Sequence, residues 1–332
     1  MHYYRLCLIL FYFLGQFINA TAYSQDSLSF CHKAFLLKSE EYAVVDTIKI
    51  CRNADSIPTR YMANLDMTVC NDGLCAKLVL KMYWDLAGSY MGYDTIQGNP
   101  LTKFDHKRFT GGDYEKLNKI LKDKNSILGT LENKDLVDKR ITKKASTVDA
   151  VTGATSKPIK NSVVEGAVYS SYALWHLVYG SVKDSIRAYT LNIYSKQVAK
   201  QLLGSDNYDS QLFALKQMSN DDYKTAFPFL FQVLRRSFPF IKAYIISKAP
   251  LPFTDKGQNQ KFVSLFSELD SYSKSVFIDR ITTEKKVAIV FLPLMLPQLQ
   301  ILDSKQLDKC LSAFQKFKIP ISQELISKLK AM

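Results

Sequence analysis

The sequence is poor in the residues from which most metal and redox centres are built. It holds four histidines and six cysteines in 332 residues. No Cys-x-x-Cys-His run exists to attach a haem, and no Cys-x-x-Cys pair exists for thiol–disulfide exchange. Neither His106 nor His176 has companions at metal-ligand spacing, so both read as structural side chains. Beyond residue 22 no stretch approaches the ~18 consecutive apolar residues of a membrane helix. The closest, Val287 to Leu299, is interrupted by Pro293 and Pro297. Acidic residues are scarce too, 31 against 44 Lys and Arg, for a net charge of +13. Most of the lysines fall along expected helix faces, as a solvated surface requires.

The first 22 residues set the compartment. A short polar head with Arg5 is followed by the apolar run Leu6 to Leu14 and then by Ala20, Thr21, Ala22, the small-x-small pattern of a signal-peptidase site. The expectation is a signal peptide over 1–22 and an exported, soluble mature chain of the periplasm or cell envelope, with no nucleic-acid partner. A retained N-terminal anchor is the alternative.

Five cysteines lie beyond the leader. Cys70 and Cys75 flank "NDGL" between strand-like runs, and Asp72-Gly73 is a tight-turn signal. In an oxidising compartment a disulfide across that hairpin is the first reading. A metal site or a redox dithiol at the same spacing stays open. Cys31 with Cys51 is a second pair, and Cys310 is left over.

The texture of the chain changes near residue 181. Before it, strand-like runs (Tyr42 to Ile50, Asn64 to Cys70, Leu74 to Tyr83) alternate with turns such as "GSYMGYD", and one helix from Asp113 to Lys122 is capped by Thr110. After it, apolar residues recur at helical spacing, as in Phe262, Leu265, Phe266 and Leu269. Three stretches there share a helix, connector, helix pattern: "LFALKQMSNDDYKTAFPFLFQVL", "VSLFSELDSYSKSVFIDRI" and "LSAFQKFKIPISQELISKL". This predicts an α+β domain with an antiparallel sheet over 23–182, followed by an all-α domain over 183–332. The latter is either a helical repeat of solenoid type or an irregular bundle.

The stretch with the most chemistry is "VDAVTGATSKPIK", Val148 to Lys160. From Lys157 to Gly180 the pattern predicts one helix of about six turns, with Ser156 as N-cap, Pro158 in its first turn and Ile159, Val163, Ala167, Tyr172, Trp175 and Val178 on one face. Thr155 would then precede free backbone N–H groups and a positive dipole end, where a phosphate is held at least cost. Gly153 and Ala154 leave room for a bulky group. Asp149 can coordinate a metal or take a proton while a hydroxyl is phosphorylated. Lys139, Arg140, Lys143, Lys144, Lys157 and Lys160 bracket the segment.

Asp149, Thr152, Gly153, Ala154 and Thr155, read as DAVTGAT, resemble the DxxTGAT signature of the covalent FMN-binding domain family. That family includes exported subunits of sodium-translocating quinone reductases and Rnf-type complexes. A second stretch, Pro100 to Gly129, is also similar to exported proteins with this domain, and the likeness spans at most Asn64 to Gly180. The resemblance implies FMN joined by a phosphoester to Thr155, after an exported, magnesium-dependent flavin transferase takes it from FAD. Asp149, Thr152, Gly153 and Ala154 would be read by that transferase. Lys157 stands where many members carry Ser or Thr.

If flavin is present, its ring needs a flat apolar seat, for which Tyr83, Trp84, Tyr90 and Tyr93 are candidates. The expectation is thus a redox carrier that relays electrons to an unidentified redox protein or membrane electron-transfer complex, rather than a stand-alone catalyst. A flavin-free envelope protein whose helical half docks a polypeptide is the alternative. A thiol–disulfide protein using Cys70 and Cys75 is the third.

Overall fold

The computed structural model describes residues 30–39, 44–69, 77–103, 106–132, 135–144, 151–155 and 157–331. The leader at 1–22, the Cys70–Cys75 hairpin, Asp149 and Ser156 lie outside them.

Five strands form an antiparallel sheet in sequence order: β1 (Phe30–Ser39), β2 (Val44–Arg52), β3 (Pro58–Met67), β4 (Leu78–Trp84) and β5 (Tyr90–Thr95). Their pattern makes one face dry and the other wet. In β3, Tyr61, Ala63, Leu65 and Met67 are buried while Asn64 and Asp66 are exposed, the period of two that a half-covered antiparallel sheet requires. In β4, Leu78, Leu80, Met82 and Trp84 continue the dry face.

The three strand-like runs of the sequence correspond to β2, β3 and β4 with shifted ends. β5 occupies residues read as a turn. Of the glycines there, Gly88 takes a left-handed turn, φ 76°, whereas Gly92 stays within the strand opposite Tyr83. Tyr90 and Tyr93, both good strand formers, outweigh the glycine.

Cys31 and Cys51 face each other across β1 and β2 and are joined by a disulfide. Cys310 is free and buried, and burial pushes its thiol up to about 12, so it behaves as a packed apolar residue. The bridge spans 20 residues of sequence. A loop of that size constrains the unfolded chain by about 3 kcal/mol. Cys31→Ala should therefore lower the urea midpoint, and adding reductant to the wild type should reproduce the shift. No change in either case would show that the bridge contributes nothing.

Helix α1 (Gly111–Lys122) begins where the sequence places it. Thr110 and Asp113 form a reciprocal capping box, and Leu117, Ile120 and Leu121 are buried. The long helix expected from Lys157 to Gly180 does not form. Residues Lys157–Ser162 make a 3-10 helix, and the α-helix, α2 (Val168–Tyr179), starts only after a turn at Gly166, φ 76°.

Every residue assigned to that helix's apolar face is buried, and so is Val164, although Ile159 lies in the 3-10 helix and Val163 and Ala167 in the turn before α2. The Val164 amide donates to the Ser171 hydroxyl, 3.0 Å, so the turn is tied to α2 by a side chain. α2 itself buries Val168, Ala173, Leu174 and Leu177 alongside Tyr172 and Trp175. It is a helix enclosed nearly all round, held against the loop after α1 by Trp175 Nε1 donating to the Asp123 carbonyl at 2.9 Å.

Ten helices follow: α3 (Ser181–Asn192), α4 (Lys196–Gly204), α5 (Tyr208–Gln217), α6 (Asn220–Arg236), α7 (Pro239–Lys248), α8 (Lys256–Ser264), α9 (Ser271–Thr283), α10 (Lys285–Met295), α11 (Ser304–Lys316) and α12 (Gln323–Lys330). Ser195, Asn207, Ser219, Asp255, Asp270, Asp303 and Ser322 cap seven of them with side-chain oxygens, so those starts are written locally. The three helix, connector, helix stretches are observed as such.

Alternate helices touch: α5 meets α7, α7 meets α9 and α9 meets α11, while α8 meets α10. Phenylalanines fill the space between the rows. Phe262 of α8 stacks on Phe277 at 4.7 Å and meets Phe227, Phe253 and Phe291 within 5.9 Å.

The sheet and the helical half share one continuous cluster of buried side chains. Across the junction the Tyr61 and Thr190 hydroxyls bond at 2.8 Å, and Phe35 packs on Tyr189 at 5.8 Å. Arg187 Nε donates to the Ala87 carbonyl at 3.0 Å.

Candidate functional site

The DAVTGAT segment runs through a ribbon separate from the main sheet, β6 (Val137–Lys144) paired antiparallel with β7 (Val151–Thr155). Val137 lies opposite Thr155 and Asp138 opposite Ala154. The register then shifts, so that Thr142 lies opposite Gly153 and Lys143 opposite Thr152. Lys139, Arg140 and Ile141 fall within that shift, beside the Gly153–Ala154 step. Backbone pairing thereby places part of the basic bracket alongside the TGAT residues.

Thr155 ends β7, and the 3-10 helix follows. It does not stand at the mouth of a long α-helix, because that helix begins at Val168. The anchoring is instead by burial downstream: Ile159, Val163 and Val164 are all in the core. The Lys116 ammonium donates to the Lys160 carbonyl at 3.4 Å.

The residue types at this register fit a phosphoester: a threonine to carry it, a glycine with no side chain to obstruct it, and cationic residues on the paired strand to offset its charge.

The aromatic residues considered for a ring seat are not brought together on one surface. Trp84 lies opposite Tyr90 and Met82 opposite Tyr93, all on the dry face, whereas Tyr83 is on the other. Trp84 is fully buried in the core. Tyr90 donates to Asn118 Oδ1 and Tyr93 to the Tyr114 carbonyl, both at 3.0 Å, which joins β5 to α1. Burial pushes the Tyr93 phenol well above its ordinary range. On the wet face, burial and then the Asp94 carboxylate, which accepts its proton at 2.6 Å, raise Tyr83 to about 12.

His176 packs on Tyr172 at 4.1 Å and bonds the Leu128 carbonyl at 3.0 Å, a structural role. His106 is exposed. Among the described residues no group of three or more His, Cys, Asp or Glu could hold a metal ion, and no helix is long and apolar enough to cross a membrane.

Two features escape sequence reasoning. The first is Asp85, in the turn between β4 and β5. Its Oδ1 accepts from the Ala87 and Ser89 amides at 2.9 and 2.8 Å, and its Oδ2 accepts from the Ser210 hydroxyl of α5. Burial raises its pKa, opposed by those three hydrogen bonds and by Lys183. The Lys183 ammonium pairs with Asp209 at 3.7 Å.

The second is a cavity of about 500 Å³ between α4 and α6. Leu203, Met218, Ala226 and Phe229 supply its apolar lining, with Lys196, Lys200 and Asp222 among its polar groups.

The chain matches no protein-family model, no curated protein and no solved structure.

Proposed function

We propose that this chain is an extracytoplasmic flavoprotein carrying FMN on Thr155 by a phosphoester and relaying electrons. The observation that carries the reading is DAVTGAT at residues 149–155, with its last threonine ending β7 and basic residues at the paired register. The Cys31–Cys51 disulfide is compatible with export.

Attachment would proceed from FAD on an exported flavin transferase. The Thr155 hydroxyl oxygen forms a bond to the FMN-side phosphorus, and the pyrophosphate P–O bond breaks. AMP leaves with the electron pair, and the hydroxyl proton passes to a base, a role open to Asp149. Gly153 and Ala154 would leave room beside the hydroxyl, Thr152 would be read by the transferase, and Ser156 follows directly in sequence. Lys139, Arg140 and Lys143, on the paired strand, would offset the phosphate charge. FMN, once attached, would supply the electron-carrying chemistry; Tyr90 and Tyr93, considered for its ring, have their hydroxyls engaged in joining β5 to α1. An unidentified redox protein or membrane complex would be donor and acceptor.

Co-expression with a magnesium-dependent flavin transferase should add the mass of one FMN and a yellow absorbance that persists after denaturation. Thr155→Ala should lose both. A colourless wild type of unmodified mass would overturn the reading.

A second reading, a flavin-free envelope protein that docks a polypeptide, is favoured by the helical half. Its alternating contacts, α5 to α7 to α9 to α11 with α8 to α10 behind, suit a solenoid-like stack, the architecture of many extended binding surfaces.

A further inference from the structure

We propose that the cavity between α4 and α6 is a binding site for an organic monoanion with a long apolar tail, such as a fatty carboxylate. It is independent of the flavin reading.

The cavity measures about 500 Å³ and is walled by α4, α6 and the connections at Tyr194–Ser195 and Gln217–Met218. That volume lies within the ~300–1,000 Å³ of small-molecule sites. A half-open groove bordered by four segments is concave enough for a small molecule, unlike the broad, flat contact of a protein interface. Its floor is apolar. Leu203 is buried, and Ala199, Met218, Ala226 and Phe229 are half-buried around it. Water in such a hollow finds few partners, so an apolar tail displaces it favourably.

The charges at the rim select the head group. Lys196 and Lys200 lie one turn apart on α4, and Asp222 opposes them from α6. Asp222 is already committed. Its carboxylate accepts from the Ser219 hydroxyl at 2.7 Å and the Ser219 amide at 2.9 Å, and these bonds, with Lys196 nearby, hold its pKa below the usual range. Lys196 is near enough to lower the Asp222 pKa but closes no ion pair with it, so two ammonium groups share one carboxylate at this rim. Lys200 is left over: its ammonium lies 5.8 Å from the centre of the Phe229 ring, and it forms no ion pair among the described residues. One uncompensated cation at the edge of an apolar hollow is complementary to one carboxylate at the end of an apolar tail.

The test is calorimetric titration of the delipidated full-length chain with dodecanoate, dodecylammonium and hexanoate, each below its micelle concentration. Dodecanoate should bind at one site, at least tenfold tighter than either comparison. Lys200→Glu, on an exposed position, should weaken dodecanoate at least tenfold and admit dodecylammonium. Ala226→Phe should block dodecanoate by filling the hollow, with circular dichroism confirming the fold. Equal binding of both head groups would reduce the site to apolar partition. An unaffected Ala226→Phe, or no dodecanoate binding to the wild type, would also overturn the proposal.

Discussion

Phe262→Ala should destabilise the chain by about 4 kcal/mol, the middle of the range for removing a buried aromatic ring. Phe262 is 1% exposed and touches five other phenylalanine rings: Phe227, Phe231, Phe253, Phe277 and Phe291. Those rings come from α6, α9, α10 and the α7–α8 connection, so the cavity cannot close by the movement of one neighbour. Phe262→Leu keeps most of the volume and should cost roughly 1.5 kcal/mol.

The same variant reports on cooperativity between the two halves. The chain has two tryptophans, Trp84 in β4 and Trp175 in α2, and both precede α3. Tryptophan fluorescence therefore follows the sheet-bearing half, whereas far-ultraviolet circular dichroism is dominated by the helices. Because the buried cluster is continuous and Tyr61, Phe35 and Ala87 are bonded or packed to α3, both signals should move to the lower midpoint together in Phe262→Ala. A fluorescence transition that stayed at its wild-type midpoint would show instead that the halves unfold separately, as a boundary at 182/183 implies.

What could be read from the sequence depended on whether a single element's pattern sufficed. The alternation in β3 and β4 was legible because one face of the sheet is buried and the other wet. β1 was not, because Phe30, Cys31, His32 and Lys33 are all exposed at the sheet's edge and carry no alternation. The helix, connector, helix stretches were legible from apolar spacing, and Ser, Asn and Asp N-caps mark the helix starts there.

The start of α2 was misplaced because Ile159, Val163 and Ala167 mimic a helical stripe while belonging to a 3-10 helix and a turn. For the candidate site, the DAVTGAT run is contiguous and needs no fold to be seen. The partition of Tyr83 from Tyr90 and Tyr93 depends on strand parity and on the β4–β5 register shift at Tyr83/Trp84, and the cavity beside Lys200 is assembled from two helices and their connections, so neither had a local signature.

Asp85 shows the same limit at the energetic level, and it separates the cost of a charge from the value of an acceptor. In sequence it is one acid in a turn; in the fold it joins the β4–β5 turn to α5. Asp85→Ala removes the acceptor from the Ala87 amide, the Ser89 amide and the Ser210 hydroxyl at once. Leaving buried donors unpaired costs about 1–3 kcal/mol each. Allowing for water reaching some of them, a loss of roughly 4 kcal/mol is expected by chemical denaturation at neutral pH.

Asp85→Asn should behave differently. Its carbonyl oxygen can still accept from both amides, its amide can donate to the Ser210 oxygen, and the burial that raises the carboxyl's pKa no longer penalises a charge. Because the folded chain holds that proton more tightly than the unfolded one, Asp85's contribution is greatest below the ordinary aspartate range near ~4. It declines as pH rises through the raised folded value. Asp85→Asn should remove this slope, leaving stability at neutral pH equal to or slightly above wild type and matching it less well in acid. If Asn instead loses as much as Ala at neutral pH, the charge itself is what the junction needs, with Lys183 as the group that answers it.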